Sequence, residues 1–199
     1  MCYNPCMEIP YRESLNRGRF ETWTVRPELE FHSVTQVHGT DIVGPETLPA
    51  EADGLLVSWE EFKHPLAIKT ADCLPIVIEG ETGVVFLHAG WRGLATGILR
   101  KPELKLIRPQ RVLIGPSIHE CCFEVTAEFR ENFPGSRFFR KAEGKLFFNL
   151  QAEARQQLRE LFPNLLIDVA PVCTSCNREF HSWRRDKNKE RNWNLYIKG

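Results

Sequence analysis

Val84-Val85-Phe86-Leu87-His88-Ala89-Gly90-Trp91-Arg92-Gly93 is an apolar run that ends on a histidine and then turns on two glycines. The β-branched and aromatic character of Val84 to Leu87 predicts a buried strand, and Gly90 and Gly93 supply the backbone freedom that a turn or helix start needs. Such a strand delivers His88 to its C-terminal end and sets Trp91 and Arg92 at the mouth of whatever His88 faces. A core histidine before an ordinary strand-to-helix turn accounts for this segment equally well, so its meaning depends on the rest of the chain.

Two other segments share the construction. Val34-Thr35-Gln36-Val37-His38-Gly39 ends an alternating, strand-like run in a His-Gly pair, and Thr70-Ala71-Asp72-Cys73-Leu74-Pro75 lies between the apolar stretches Leu66-Ala67-Ile68 and Ile76-Val77-Ile78. Neutral imidazole and thiolate are ligands that suit Zn²⁺, and three protein ligands leave a fourth position for water or substrate, as catalytic zinc requires. His38, Cys73 and His88 therefore form a candidate His₂Cys set. The three are dispersed, with no short ligand spacing to announce them, and a cysteine flanked by Leu and Pro is also a small buried hydrophobe.

The remaining polar motifs are read against the same site. Guanidinium offers a planar fork of donors suited to phosphate, so Arg92, Arg184 and Arg185 are candidate anion binders. Adjacent side chains on a strand diverge, which leaves one of Arg184 and Arg185 as a surface charge. Asp72, next to Cys73, is the nearest acid-base candidate; a carboxylate that orients a ligand, or a turn cap, accounts for it equally. Cys121 and Cys122 read as packing or rim residues. Cys173 and Cys176 make a C-x-x-C spacing that, without a second pair, is a weak metal or redox signal. His119 and His181 read as structural.

Apolar runs at Ile42-Val43, Gly54 to Val57, Leu66 to Ile68, Ile76 to Ile78, Val84 to His88, Val112 to Ile114 and Leu165 to Ala170 predict strands through the middle of the chain. Asn149 is a good helix cap, and Leu150, Ala154, Leu158 and Leu161 recur at helical spacing behind it. Gly93 to Lys101 and Thr126 to Phe133 are weaker helix candidates, and the charged run Asp186 to Arg191 reads as a solvated loop. Strands and helices do not alternate strictly, so the expected class is α+β rather than a doubly wound parallel sheet. At 199 residues the chain fits one domain, 1–199, able to bury a core without a metal or disulfide staple. With 26 basic and 26 acidic residues there is no electrostatic footprint of nonspecific nucleic-acid binding, which points to a small-molecule partner. Seven cysteines lack the spacings of a secreted disulfide scaffold, and no run approaches the ~20 apolar residues of a membrane span, so a cytoplasmic location without membrane association is expected.

Taken together, these segments resemble the laccase-domain family, also called polyphenol-oxidase or YfiH-like proteins. The resemblance is carried by Gln36 to Gly39, Ala52-Asp53-Gly54, Thr70 to Pro75, His88 to Gly93, Gly115-Pro116-Ser117-Ile118 with Cys121 to Val125, and Cys173-Thr174 with Phe180 to Asp186 and Arg191. It spans roughly residues 30 to 199. Met1 to Phe31 looks like a shortened form of the family's Gly-rich N-terminal hairpin and helix, echoed by Ser14-Leu15-Asn16, and His119-Glu120 replaces a Gly-Pro. The resemblance implies mixed β-sheets sandwiched by helices, zinc on His38, Cys73 and His88 with copper an alternative occupant, and purine nucleoside phosphorolysis. Adenosine, inosine, guanosine and 5′-methylthioadenosine are then the substrates together with inorganic phosphate, and adenosine deamination an accompanying activity. Two rivals stand beside it: a metal-free cysteine hydrolase using Cys73 and His88, and a noncatalytic binding protein on the same fold. Copper-dependent phenol oxidation is disfavoured, because six histidines are too few for a His₂Cys centre and a trinuclear cluster together.

Overall fold

The computed structural model describes residues 9–199. Its centre is the antiparallel pair β7 (Leu74–Gly80) and β8 (Gly83–Ala89), in which every residue is buried. The strands are apolar throughout because both faces are covered, and alternation divides their side chains between two cores. Leu74, Ile76, Ile78, Val85 and Leu87 enter one cluster, while Val77, Val84 and Phe86 enter the other. Each such side chain contributes roughly 1.5–3 kcal/mol relative to exposure, which makes this hairpin the anchor of the molecule.

Around it lies a six-stranded mixed sheet. Its order runs from β13 (Leu166–Val169) through β9 (Pro109–Ile114), β7, β8 and β5 (Gly54–Ser58) to β4 (Ile42–Val43), with the two edge pairings parallel. One face packs against helical elements that supply Leu94, Ile98, Leu99, Leu104, Ala154 and Leu158. These belong to α1 (Trp91–Thr96), a 3₁₀ turn (Ile98–Arg100), α2 (Glu103–Leu106) and α3 (Leu150–Leu161). The other face packs against a five-stranded sheet of β1 (Tyr11–Ser14), β2 (Gly18–Trp23), β14 (Asn192–Lys198), β6 (Leu66–Thr70) and β3 (His32–Ser33). Phe20, Leu66, Ile68 and Tyr196 fill that second interface. A small antiparallel sheet of β10 (Glu124–Val125), β12 (Lys145–Phe148) and β11 (Phe139–Ala142) completes the α+β architecture. No helix among the described residues is long and apolar enough to cross a membrane.

Local signals explain both agreements and departures. The Asn149 side chain accepts the Ala152 amide at 2.9 Å and starts α3 where the cap was expected. The helix expected over Gly93 to Lys101 instead starts at Trp91 and breaks at Gly97, whose φ of 96° is left-handed. Thr126 to Phe133 forms only a 3₁₀ turn, Glu128–Asn132, a segment too short to repay helix nucleation. Val34 to Gly39 is not a strand beyond an isolated bridge at Thr35. There the Gln36 side chain bonds the Lys69 carbonyl at 2.6 Å and amide at 2.8 Å, standing in for backbone pairing. Strands β1, β2, β11 and β14 carry too many polar residues for apolar runs to reveal them, β3 and β10 are two residues each, and the apolar run of β12, Leu146 to Phe148, is short.

Candidate active site

Three turns converge at one end of the β7–β8 hairpin. His38 lies in the turn following β3 with a left-handed φ of 61°, and Cys73 follows Asp72, itself at φ 88°. His88 is the last residue but one of β8. Left-handed backbone is uncommon for residues with a Cβ, and two of the five described residues that adopt it are the ligand candidate His38 and Asp72, the neighbour of Cys73. The metal-binding atoms of His38, Cys73 and His88 all lie within 4.8 Å of one another. The two imidazole rings meet edge to face, with centroids 4.8 Å apart. Accessibility is graded, with His88 buried, Cys73 half-buried and His38 exposed, so the group is rooted in the core and opens outward.

Asp53 holds this arrangement, and sequence reasoning assigned it no role. It is fully buried at the start of β5. One carboxylate oxygen accepts the His38 amide at 3.0 Å and faces His88 Nδ1 at 2.7 Å. The other accepts the Val37 amide at 3.2 Å and the Gly39 amide at 2.6 Å. A carboxylate behind a histidine fixes the ring and its tautomer, leaving Nε2 for a ligand. An Asp-Gly pair at the head of a strand reads as turn chemistry; only its long-range partners reveal the other task.

The glycines next to His88 serve the site by closeness rather than by unusual backbone angles. Gly90 has an ordinary φ of −70°, yet a Cβ there would lie 3.2 Å from both Cys73 Sγ and His38 Cδ2. A Cβ on Gly93 would lie 2.9 Å from the Gly39 carbonyl, so α1 approaches the His38 turn backbone to backbone. The His₂Cys group and the bare Gly90 wall are compatible with an ion on these three donors.

Electrostatics bind the group together. Burial pushes the Cys73 thiol up, but His88 and His38 outweigh it and bring the thiol down to about 6. For His88, burial favours the neutral ring, yet the Cys73 thiolate and Asp53 raise it to about 9. Between these values the metal-free site holds a thiolate beside an imidazolium.

The group opens into a cavity of about 800 Å³ whose wall is markedly cationic for a chain of zero net charge. Lys69, Arg92, Arg184, Lys187 and Arg191 line it against the single carboxylate of Asp72, and Trp91, Phe123 and Trp183 supply aromatic surface. Arg92 lies over the Trp91 ring at 4.4 Å, and Arg184 donates to the Glu124 carbonyl at 2.8 Å. Arg185 is directed elsewhere: its guanidinium is spent on the Thr174, Ser175, Asn177 and Phe180 carbonyls and on Asp186. Both arginines lie on the short helix α4 (Trp183–Asp186), not on a strand, and successive helix positions part them. The Asp72 carboxylate accepts the Thr174 hydroxyl at 2.8 Å and the Arg184 amide at 2.6 Å. It ties the turn carrying Cys73 to the segment carrying Arg184, which favours positioning over acid-base chemistry.

The largest departure concerns the other cysteines. Cys122 packs against the core and Cys121 is exposed, as packing and rim residues do, but the Cys173-x-x-Cys176 pair does have them as a second pair: all four sulfurs lie within 4.8 Å of one another. His181 Nε2 contacts the Thr24 carbonyl at 2.8 Å, and His119 lines a separate, smaller cavity, so neither faces the His₂Cys group.

Residues 11–196 match the family described as multi-copper polyphenol oxidoreductase laccase. A relative from Aquifex aeolicus, named purine nucleoside phosphorylase, is 39% identical over 155 residues, covering 75% of this chain and 72% of its own. The Escherichia coli protein named purine nucleoside phosphorylase YfiH is 31% identical over 163 residues, 76% of this chain and 67% of that one. Among solved structures, a Neisseria meningitidis protein superposes with a TM-score of 0.75 at 29% identity, over 86% of this chain and 76% of that one. YlmD from Geobacillus stearothermophilus does so with a TM-score of 0.69 at 28% identity, over 84% and 73%.

Proposed function

The chain belongs to the multi-copper polyphenol oxidoreductase laccase family, and within it we propose that this protein is a zinc-dependent purine nucleoside phosphorylase. The observation that carries the reading is the joining of two features in one cavity: a His₂Cys group backed by a buried carboxylate, and a wall of five cations. The names of the Aquifex and Escherichia relatives support the same chemistry. Adenosine, inosine, guanosine and 5′-methylthioadenosine are the proposed nucleosides, with inorganic phosphate as co-substrate. Five free thiols among the described residues fit a reducing compartment such as the cytoplasm.

In phosphorolysis a phosphate oxygen bonds to the anomeric carbon as the bond to the purine nitrogen breaks. The electron pair leaves with the base, which takes up a proton, and ribose 1-phosphate is released. Arg92 and Arg184 bind and orient the phosphate, for which planar guanidinium is suited, while Lys69, Lys187 and Arg191 raise the local concentration of anions. Trp91, Phe123 and Trp183 offer flat apolar surface to a purine and exclude water from one side of the sugar. Asp72 positions Arg184 through its backbone amide. His38, Cys73 and His88 would hold the zinc, which supplies Lewis acidity to an oxygen at its open fourth position.

Among the described residues the histidines do not gather into a trinuclear copper site, which counts against phenol oxidation. Beyond His38 and His88, His32 and His64 meet edge to face beside a different cavity, and His119 and His181 lie apart from both pairs. A second reading is favoured by the Cys73 thiol being held near 6 beside His88, which is what a thiolate nucleophile needs. One experiment separates them: inosine and phosphate are supplied to zinc-loaded and to chelator-stripped protein, and ribose 1-phosphate and free base are measured. Phosphorolysis requires both zinc and phosphate. Base release without phosphate indicates a hydrolase, ammonia release indicates deamination, activity only in stripped protein favours the cysteine reading, and no turnover leaves a binding protein.

A further inference from the structure

A second group of thiols lies on two segments that also supply Ile118, Phe123 and Arg184 to the cavity. Cys121 and Cys122 follow Ile118, and Cys173 and Cys176 follow β13, more than fifty residues later. We infer that Cys121, Cys122, Cys173 and Cys176 form a second metal centre, a tetrahedral tetrathiolate site for one Zn²⁺ ion that clamps the 117–125 segment to the 173–186 segment.

The sulfur geometry carries the inference. Cys121 and Cys122 lie 3.8 Å apart, Cys121 and Cys176 3.5 Å, and Cys122 and Cys176 3.2 Å. Zinc–sulfur bonds of about 2.3 Å in a tetrahedron require sulfur–sulfur edges of about 3.8 Å, so small outward shifts around an ion complete the shell. A disulfide would bring two sulfurs to about 2.05 Å, and no pair approaches that. All four within 4.8 Å is compact enough for one ion and too tight to span a cluster of several irons.

The backbone is shaped to aim these side chains. Neighbouring residues ordinarily diverge, but the chain turns tightly here: the Cys122 and Phe123 amides both donate to the His119 carbonyl at 3.0 Å. On the facing segment the Asn177 amide donates to the Cys173 carbonyl at 2.9 Å, folding the C-x-x-C pair back on itself. The His119 amide donates to Cys173 Sγ at 3.3 Å, and the Ser175 and Cys176 amides also support that sulfur. Amide donors to a thiolate offset the charge that four of them leave around a divalent ion. Arg185 adds a positive charge on the same segment through its bonds to the Thr174 and Ser175 carbonyls, which gives that arginine a task away from phosphate. Cys121 and Cys176 are exposed, so an ion has a path from solvent.

The clamp bears on the cavity because its segments carry Thr174 and Arg184, the two donors to Asp72. The test is metal counting by native mass spectrometry and elemental analysis on full-length protein purified under reducing conditions, with Cys176→Ser, Cys173→Ser and Cys73→Ala variants. Two zinc ions per chain are expected in the parent and one in each variant. Differential alkylation guards against a variant that fails to fold: in the parent, iodoacetamide should spare all four cysteines while zinc is bound and label them after chelation. Cobalt-loaded protein should lose most of its thiolate-to-metal absorbance in Cys176→Ser and little in Cys73→Ala. A parent protein with no more zinc than Cys176→Ser, four cysteines labelled without chelation, a disulfide within the group, or iron in place of zinc would each overturn the assignment.

Discussion

Replacing Asp53 by Asn removes one charge and almost no volume, so its effect isolates the work of a single carboxylate. The two oxygens accept four donors in pairs, His38 N with His88 Nδ1 and Val37 N with Gly39 N. An amide has one acceptor oxygen, so in either orientation its NH₂ faces two donors that lose their partner. Two donors left without an acceptor against this buried side chain cost about 1–3 kcal/mol each, or about 4 kcal/mol together. For a chain of this size that is a fall in Tm of roughly 8–16 °C in metal-free protein followed by circular dichroism. If the NH₂ faces His38 and His88, zinc affinity should also fall about 10–100-fold, read by competition with a chromophoric chelator. If it faces Val37 and Gly39, stability falls and affinity holds. Despite burial, the bonds from His88 and Gly39 keep the Asp53 carboxyl below its ordinary 3.8. A lowered folded-state value means stability present above 3.8 and lost as pH falls below it, a loss that Asp53→Asn should not display. A variant with unchanged Tm and unchanged zinc affinity would refute the role given to Asp53.

Gly90→Ala puts a methyl 3.2 Å from both Cys73 Sγ and His38 Cδ2 without straining φ, so zinc affinity should drop at least tenfold while circular dichroism stays that of the parent; equal affinity would remove the bare wall from the argument. Arg92→Ala should raise KM for phosphate about tenfold or more, the worth of one charged hydrogen bond, with zinc content unchanged, whereas Arg185→Ala should lower Tm by several degrees through its lost carbonyl bonds; the reverse pattern would exchange their tasks. Because the thiol is already near 6 and His88 near 9, zinc uptake at about pH 7.5 should release about one proton, and affinity should rise about tenfold per unit up to pH 9 and then level. Indicator-dye titrations that find no proton release would contradict the thiolate–imidazolium pair. Zinc-loaded protein should consume negligible oxygen with phenolic substrates; rapid, stoichiometric consumption would restore the oxidase reading.

Chain order alone made the β7–β8 hairpin, α3 and the His₂Cys candidates legible. Continuous apolar runs, an Asn before a helical stripe, and His or Cys at the end of such runs are local patterns with a short-range physical cause. Seven strands were not legible, because β1, β2, β3, β10, β11, β12 and β14 owe their existence to partners across a sheet rather than to long apolar runs of their own. The same limit governs the site. His38, Cys73 and His88 can be nominated from their segments, but Asp53 looks like a turn residue until His88 lies 2.7 Å away. Arg184 and Arg185 are equivalent on paper and separate only when α4 turns one toward the cavity and the other into backbone carbonyls. Cys121 and Cys122 look like packing, and Cys173 and Cys176 like an incomplete pair, until two turns more than fifty residues apart in sequence bring the four sulfurs within 4.8 Å of one another. Zero net charge likewise hides a cavity with five cations against one carboxylate. Residue type and spacing determine which chemistry a chain can perform; the long-range pairing of strands and turns decides which of those groups meet, because distance and direction are set by contacts that a linear sequence does not display.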